Sequence, residues 1–153
     1  MHVNIEADPN QLGFVPYLVD DWYGSQKGIQ KFFRPSWIRR FWAAPMRKTD
    51  RIEIQRLAGQ LNDRQWKNWL LAASEMGKVL VHQQINFLPL LGLTFNPRNA
   101  VEFRLFNAQY VSERGSKGKS GKTACMALKE AVLFSYAMME RAHKKAAIKA
   151  PFF

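Results

Sequence analysis

The residues best suited to chemistry in this chain are cations and glycines. They stand together in Arg114-Gly115-Ser116-Lys117-Gly118-Lys119-Ser120-Gly121-Lys122-Thr123, with three glycines, four positive charges and no acid. Glycine leaves backbone N–H groups uncovered, and such groups beside ammonium charges suit phosphate oxygens. Bond-making chemistry finds little support elsewhere. His2, His82 and His143 are scattered, and no Cys or His pair has metal-ligand spacing. There is no nucleophile elbow and no carboxylate pair flanked by apolar residues that would raise a pKa. Cys125, the single cysteine, falls at the start of an apolar helical pattern, where an inert buried thiol is expected rather than a nucleophile. Arg114, Lys117, Lys119 and Lys122 are therefore the first candidate contacts, directed at a phosphate backbone. No catalytic activity, metal or cofactor is expected.

Two elements must position this loop. Before it, Val101, Phe103 and Leu105 alternate with Glu102, Arg104 and Phe106, the period of two of a half-buried strand. After it, Ala124, Leu128, Ala131, Val132, Ser135, Met138, Met139 and Ala142 recur at helical spacing and predict a long helix with these residues inward. Strand, glycine-lysine loop and helix together resemble the phosphate-binding loop of nucleotide hydrolases through Gly121-Lys122-Thr123. A Walker loop, however, needs glycine where Ser116 stands, and the deviant loop of partition ATPases needs one where Lys119 stands. Too little chain follows to supply the strand that carries a Mg²⁺-binding acid. Nucleotide hydrolysis is thus the least favoured reading. Contact with a polynucleotide backbone needs only the N–H groups and the cations.

Charge is distributed unevenly. The chain carries a net +11. Residues 1–26 hold Glu6, Asp8, Asp20 and Asp21 and no Lys or Arg. Residues 27–51 hold eight bases against Asp50, and residues 114–149 hold nine bases against Glu130 and Glu140. Two basic blocks in one chain make a local field that attracts polyanions. Solubility alone, an anionic membrane or an acidic protein partner are the competing explanations.

The first block contains the second candidate contact. Pro35 suits the first turn of a helix. Trp37, Ile38, Phe41 and Trp42 then share one arc, with Ser36, Arg39 and Arg40 opposite, until Pro45 ends the pattern. A core helix with solvated arginines is the plain interpretation. The sharper one has Arg34, Arg39 and Arg40 gripping phosphates while the aromatics pack inward. A helix lying on a membrane surface is a third, and the segment is short for it.

The remaining sequence predicts an α-rich single domain over 1–153. Residues 1–16, broken by Pro9 and Pro16, read as an irregular arm. Residues 17–84 read as helical. Leu18, Trp22, Ile29 and Phe33 anchor the first helix, which Gly24 and Gly28 weaken. Thr49 is expected to cap a helix running through Gln60 with Ile52, Leu57 and Leu61 inward. Asn62-Asp63 cap the next, extending to about Gln84 with Trp66, Trp69, Leu70, Ala73, Met76 and Leu80 inward. Pro89 and Gly92 break the apolar run 85–95. The turn Asn96-Pro97-Arg98-Asn99 would join a strand at 93–95 to 101–106 as a hairpin. The fold class is α+β: mostly helical, with a small antiparallel ribbon at about 93–106, the basic loop and a long C-terminal helix within 93–146. With 47% apolar residues the chain can bury a core. With one cysteine, no signal-peptide pattern and no apolar run near the roughly 18 residues that span a bilayer, a cytoplasmic setting without membrane insertion is expected.

A strand ahead of helical sequence resembles the ribbon-helix-helix DNA-binding proteins, in which two chains pair one strand each in the major groove. The resemblance makes 101–106 the ribbon and 123–139 the second helix, although the glycine-rich loop falls where a first helix should end. Trp66-Lys67-Asn68-Trp69-Leu70-Leu71 and Glu102-Phe103-Arg104-Leu105-Phe106-Asn107 also resemble the AcaB-like regulators of conjugative plasmids and integrative elements, over about a third of the chain. These resemblances imply a homodimeric DNA-binding regulator, with Arg104 the residue able to make a bidentate contact to guanine. DNA is thus the expected partner ahead of RNA or single strands. A module docking an acidic protein is the rival from another class.

Overall fold

The computed structural model describes residues 2–33, 45–75, 85–92, 98–104 and 124–152. Within these, the order of elements is β1 (Val3–Glu6), α1 (Val15–Phe33), α2 (Lys48–Leu57), α3 (Asp63–Glu75), β2 (Ile85–Asn86), β3 (Ala100–Phe103) and α4 (Ala124–Ala147). The fold is α+β and mainly helical, with a small antiparallel sheet and a long C-terminal helix, as the sequence predicts.

The sheet has the order β1-β3-β2, with every pairing antiparallel. Val3 lies opposite Phe103 and Glu6 opposite Ala100, while Ile85 pairs with Phe103 on the other edge. Val3, Ile85, Val101 and Phe103 are buried on the helix side of this sheet. Trp22 connects the layers. It is fully buried, with its ring 5.5 Å from Phe103 on β3 and 6.1 Å from Phe134 on α4. Leu12, Phe14, Val15, Leu18 and Val19 fill the space around it.

The N-terminal residues depart from the irregular arm expected of 1–16. Val3–Glu6 is a paired edge strand, and Leu12, Phe14 and Val15 are core residues. The Ala7 N–H donates to the Asn99 carbonyl at 2.8 Å, and the Leu12 N–H donates to Asp63 Oδ1 at 2.8 Å. Each bond is supplied by residues far along the chain, so no local pattern announces it.

Helix α1 runs through Gly24 and Gly28 without interruption because Leu18, Val19, Trp22 and Ile29 bury one face of it. Tertiary packing here outweighs the local cost of two glycines. Helix α2 starts earlier than expected. Its N-cap is Arg47, not Thr49, and no side chain caps it. Asp50 instead sits in the first turn and receives two bonds of 2.9 Å from the Arg47 guanidinium. Asp50 and Ile54 form the buried face of the helix, and Ile52, expected inside, is 52% exposed. The helix ends at Leu57, and a type II turn follows, in which the Gln60 N–H donates to the Leu57 carbonyl at 3.0 Å and Gly59 supplies the φ of +86° that the turn requires.

Helix α3 begins with a reciprocal capping box. Gln65 N–H donates to Asn62 Oδ1, and Asn62 N–H donates to Gln65 Oε1, both at 2.9 Å. Trp66, Leu70 and Ala73 are buried as expected, while Trp69 is half-buried with its ring edge-on to Trp66. Met76 and Leu80 lie outside the described residues. In α4 the apolar pattern divides. Ala131, Ser135, Met138, Met139 and Ala142 face the core, but Leu128 and Val132 are 44% and 42% exposed. The eight positions share one arc of about 120°, and the two exposed ones stand nearer the start of the helix than most of the buried ones, so place along the helix and not face decides their exposure.

Candidate nucleic-acid interface

Of the predicted contacts, Arg104 lies among the described residues. Arg34, Arg39, Arg40, Arg114, Lys117, Lys119 and Lys122 lie outside them, as does the 93–95 strand. Arg104 follows β3, on the face opposite Val101 and Phe103. Its Nε donates to Glu102 Oε2 at 3.0 Å. That acid is two residues back along the chain and only 8% exposed, so the pair is not a solvated one.

Glu102 cross-links the three strands. Asn86 Nδ2 on β2 donates to Glu102 Oε2 at 2.6 Å, and His2, just ahead of β1, contacts Oε1. Burial alone would raise the Glu102 carboxyl. The hydrogen bonds from His2 and Asn86 and the positive charge of Arg104 outweigh it and hold the group at about 2. The carboxylate is therefore ionised and fully committed within the sheet. Because β1 and β2 flank β3 at Glu102 and Phe103, neither edge of the strand is open there to a second chain. A two-chain ribbon through 101–106 is thus blocked at those two residues.

Two of the acids of the N-terminal block are also internal, while Glu6 and Asp8 are exposed. Asp20 and Asp21 are 4% and 7% exposed. Asp20 Oδ1 accepts from Arg51 Nε at 2.7 Å and from Gln55 Nε2 at 2.6 Å, tying α1 to α2. The Arg51 guanidinium also lies 4.9 Å from the centre of the Tyr23 ring. Asp21 Oδ1 accepts from Lys145 on α4, and Arg141 Nε stands 3.3 Å from Oδ2 without hydrogen-bond geometry. With Asp50 on Arg47, these carboxylates take up cations from both basic blocks. The sequence shows Asp20 and Asp21 as part of an acidic lead-in. Their position between Val19 and Trp22, on the buried side of α1, is the signal that they serve inside.

Several cations remain at the surface, among them Lys31, Lys48, Lys129 and Lys149. Between α1 and α4 lies an open groove of about 700 Å³, lined by Gly24, Ser25, Gly28, Ile29, Glu130, Leu133 and Phe134. Ser25 and Glu130 are the polar side chains of this lining, and Ile29, Leu133 and Phe134 the apolar ones. No group of His, Cys, Asp and Glu among the described residues could hold a metal ion, and no helix among them is long and apolar enough to cross a membrane. In comparisons with family models, curated proteins and solved structures, nothing matches the chain.

Proposed function

We propose that this chain is a non-enzymatic DNA-binding protein of the cytoplasm, acting as a transcriptional regulator or as an accessory in processing bacterial or mobile-element DNA. The observation that carries the reading is the segment 114–123, with four cations and no acid, set between the end of the central strand and the start of α4. The buried carboxylates Asp20, Asp21, Asp50 and Glu102 hold Arg51, Lys145, Arg47 and Arg104, all cations outside that segment. A loop of this composition binds phosphates without reading bases, so the reading is one of backbone contact first. Arg34, Arg39 and Arg40 extend the same contact from the first basic block. Arg104 is the candidate for base recognition, and its bond to Glu102 orients the guanidinium.

The test is binding of fluorescent duplex DNA, single-stranded DNA and RNA by anisotropy across a salt series. Duplex binding that weakens steeply with salt and is competed by bulk duplex supports the reading. Preference for RNA or single strands moves the target, since cations beside aromatics suit those as well. Binding to none of the three leaves an acidic protein as the partner of the basic blocks.

A further inference from the structure

Helix α4 carries an outward stripe that no other described element covers. Lys129, Leu133, Tyr136 and Glu140 follow one another at steps of four, three and four, the spacing of a helix–helix seam. They lie on the side of the helix away from Ala131, Ser135, Met138 and Ala142, which are buried. All four are exposed, Leu133 at 55% and Tyr136 at 56%, and Val132 and Ala137 flank them at the surface. An amphipathic helix of a lone domain carries polar groups at such positions.

The stripe is complementary to itself. Leu133 and Tyr136 share a midpoint with Lys129 and Glu140, and also with Val132 and Ala137. A second copy turned end for end about that midpoint sets Leu133 against Tyr136 and Lys129 against Glu140, and each pairing occurs twice. This reciprocity is what a two-fold axis requires. The opposite, parallel arrangement would bring Lys144, Lys145 and Lys149 of two strongly basic chains side by side. The antiparallel one keeps these basic ends apart. Glu140 already lies 2.9 Å from Lys144 within the chain, and both side chains are exposed enough to share the carboxylate.

We propose that this stripe docks a second copy of the chain, with the two α4 helices antiparallel and crossing between residues 134 and 135. The pairing is independent of nucleic acid. The groove beside Leu133 leaves room for the partner helix to settle toward α1.

Sedimentation equilibrium of the full chain, under reducing conditions and over a wide concentration range, tests this with charge-swapped variants. The wild type is expected to dimerise reversibly. Lys129→Glu places like charges opposite each other twice and weakens association by about tenfold. Lys129→Glu combined with Glu140→Lys restores it, and Leu133→Glu abolishes it. The positions are exposed, so far-UV circular dichroism of each variant should match the wild type. A wild type that stays monomeric, a dimer that ignores both Lys129→Glu and Leu133→Glu, or a double swap that fails to restore association overturns the proposal.

Discussion

Asp21 on α1 accepts a hydrogen bond from Lys145 on α4, a residue 124 positions later in the chain. The Asp21 side chain is 5% exposed and that of Lys145 20%, so the carboxylate is shut off from bulk water. Breaking such a pair leaves a buried charge without its counterpart, which costs about 3–5 kcal/mol. Asp21→Asn is expected to lower stability by that order in urea unfolding. A double-mutant cycle with Lys145→Met should show coupling above about 0.5 kcal/mol, the level beyond which sites are not independent. Additive effects would mean that the two helices are held by apolar packing alone.

Glu102 gives the fold an acid limit. Its carboxyl is held at about 2, well below the ordinary 4.5. A carboxyl lowered on folding contributes stability above its unfolded pKa, and that contribution fades as pH falls from about 4.5 toward about 2. Glu102→Gln removes this dependence. The variant is expected to be less stable at neutral pH, by about 1.5–3 kcal/mol for the missing hydrogen bonds to a charged group. Its stability should also fall less steeply between those two pH values. Parallel acid limbs for the two proteins would show that the cluster of His2, Asn86 and Arg104 does not favour the ionised form.

The two tryptophans of α3 separate packing from contact. Trp66 is 2% exposed, whereas Trp69 is half-buried and edge-on to it at 5.7 Å. Trp66→Ala is expected to cost roughly 3–5 kcal/mol, the range for a large buried aromatic. Trp69→Ala should cost about 1–2 kcal/mol, in proportion to its smaller buried area. Thermal melts measure both. A Trp69→Ala protein with unchanged melting that no longer binds nucleic acid would make that ring a stacking platform.

Local signals make the helices legible in the sequence, and long-range pairing hides the rest. Asn62 and Gln65 bond each other's backbone, so the start of α3 is written within four residues. The burial of Trp22, Trp66 and Met138 follows from spacing in the same way. The strand Val3–Glu6 alternates apolar and polar residues, but it is hidden because it is only four residues long and its partner, Ala100–Phe103, lies nearly a hundred residues away. Ile52 and Ile54 show a second limit. Both are apolar on one helix, and the buried face is the one that Ile54 shares with Asp50, a residue type that sequence alone places outside. For the candidate interface, composition points to the loop and the arginine helix. The fates of Asp20, Asp21 and Glu102 need three dimensions, because Asp20 and Asp21 pair with residues far along the chain, and Glu102, besides Arg104 two residues on, is bound by the distant His2 and Asn86.

The proposed role of the 114–123 loop in binding nucleic-acid phosphates is tested most directly by the salt dependence of duplex binding with and without Lys117, Lys119 and Lys122. Wild-type affinity is expected to fall linearly with salt on logarithmic axes. Changing the three lysines together to alanine should weaken binding to any sequence and reduce that slope by about 0.9 for each phosphate no longer neutralised, while leaving the melting temperature essentially unchanged. A triple variant that keeps wild-type affinity and slope at moderate salt would contradict this role and exclude the loop from the interface.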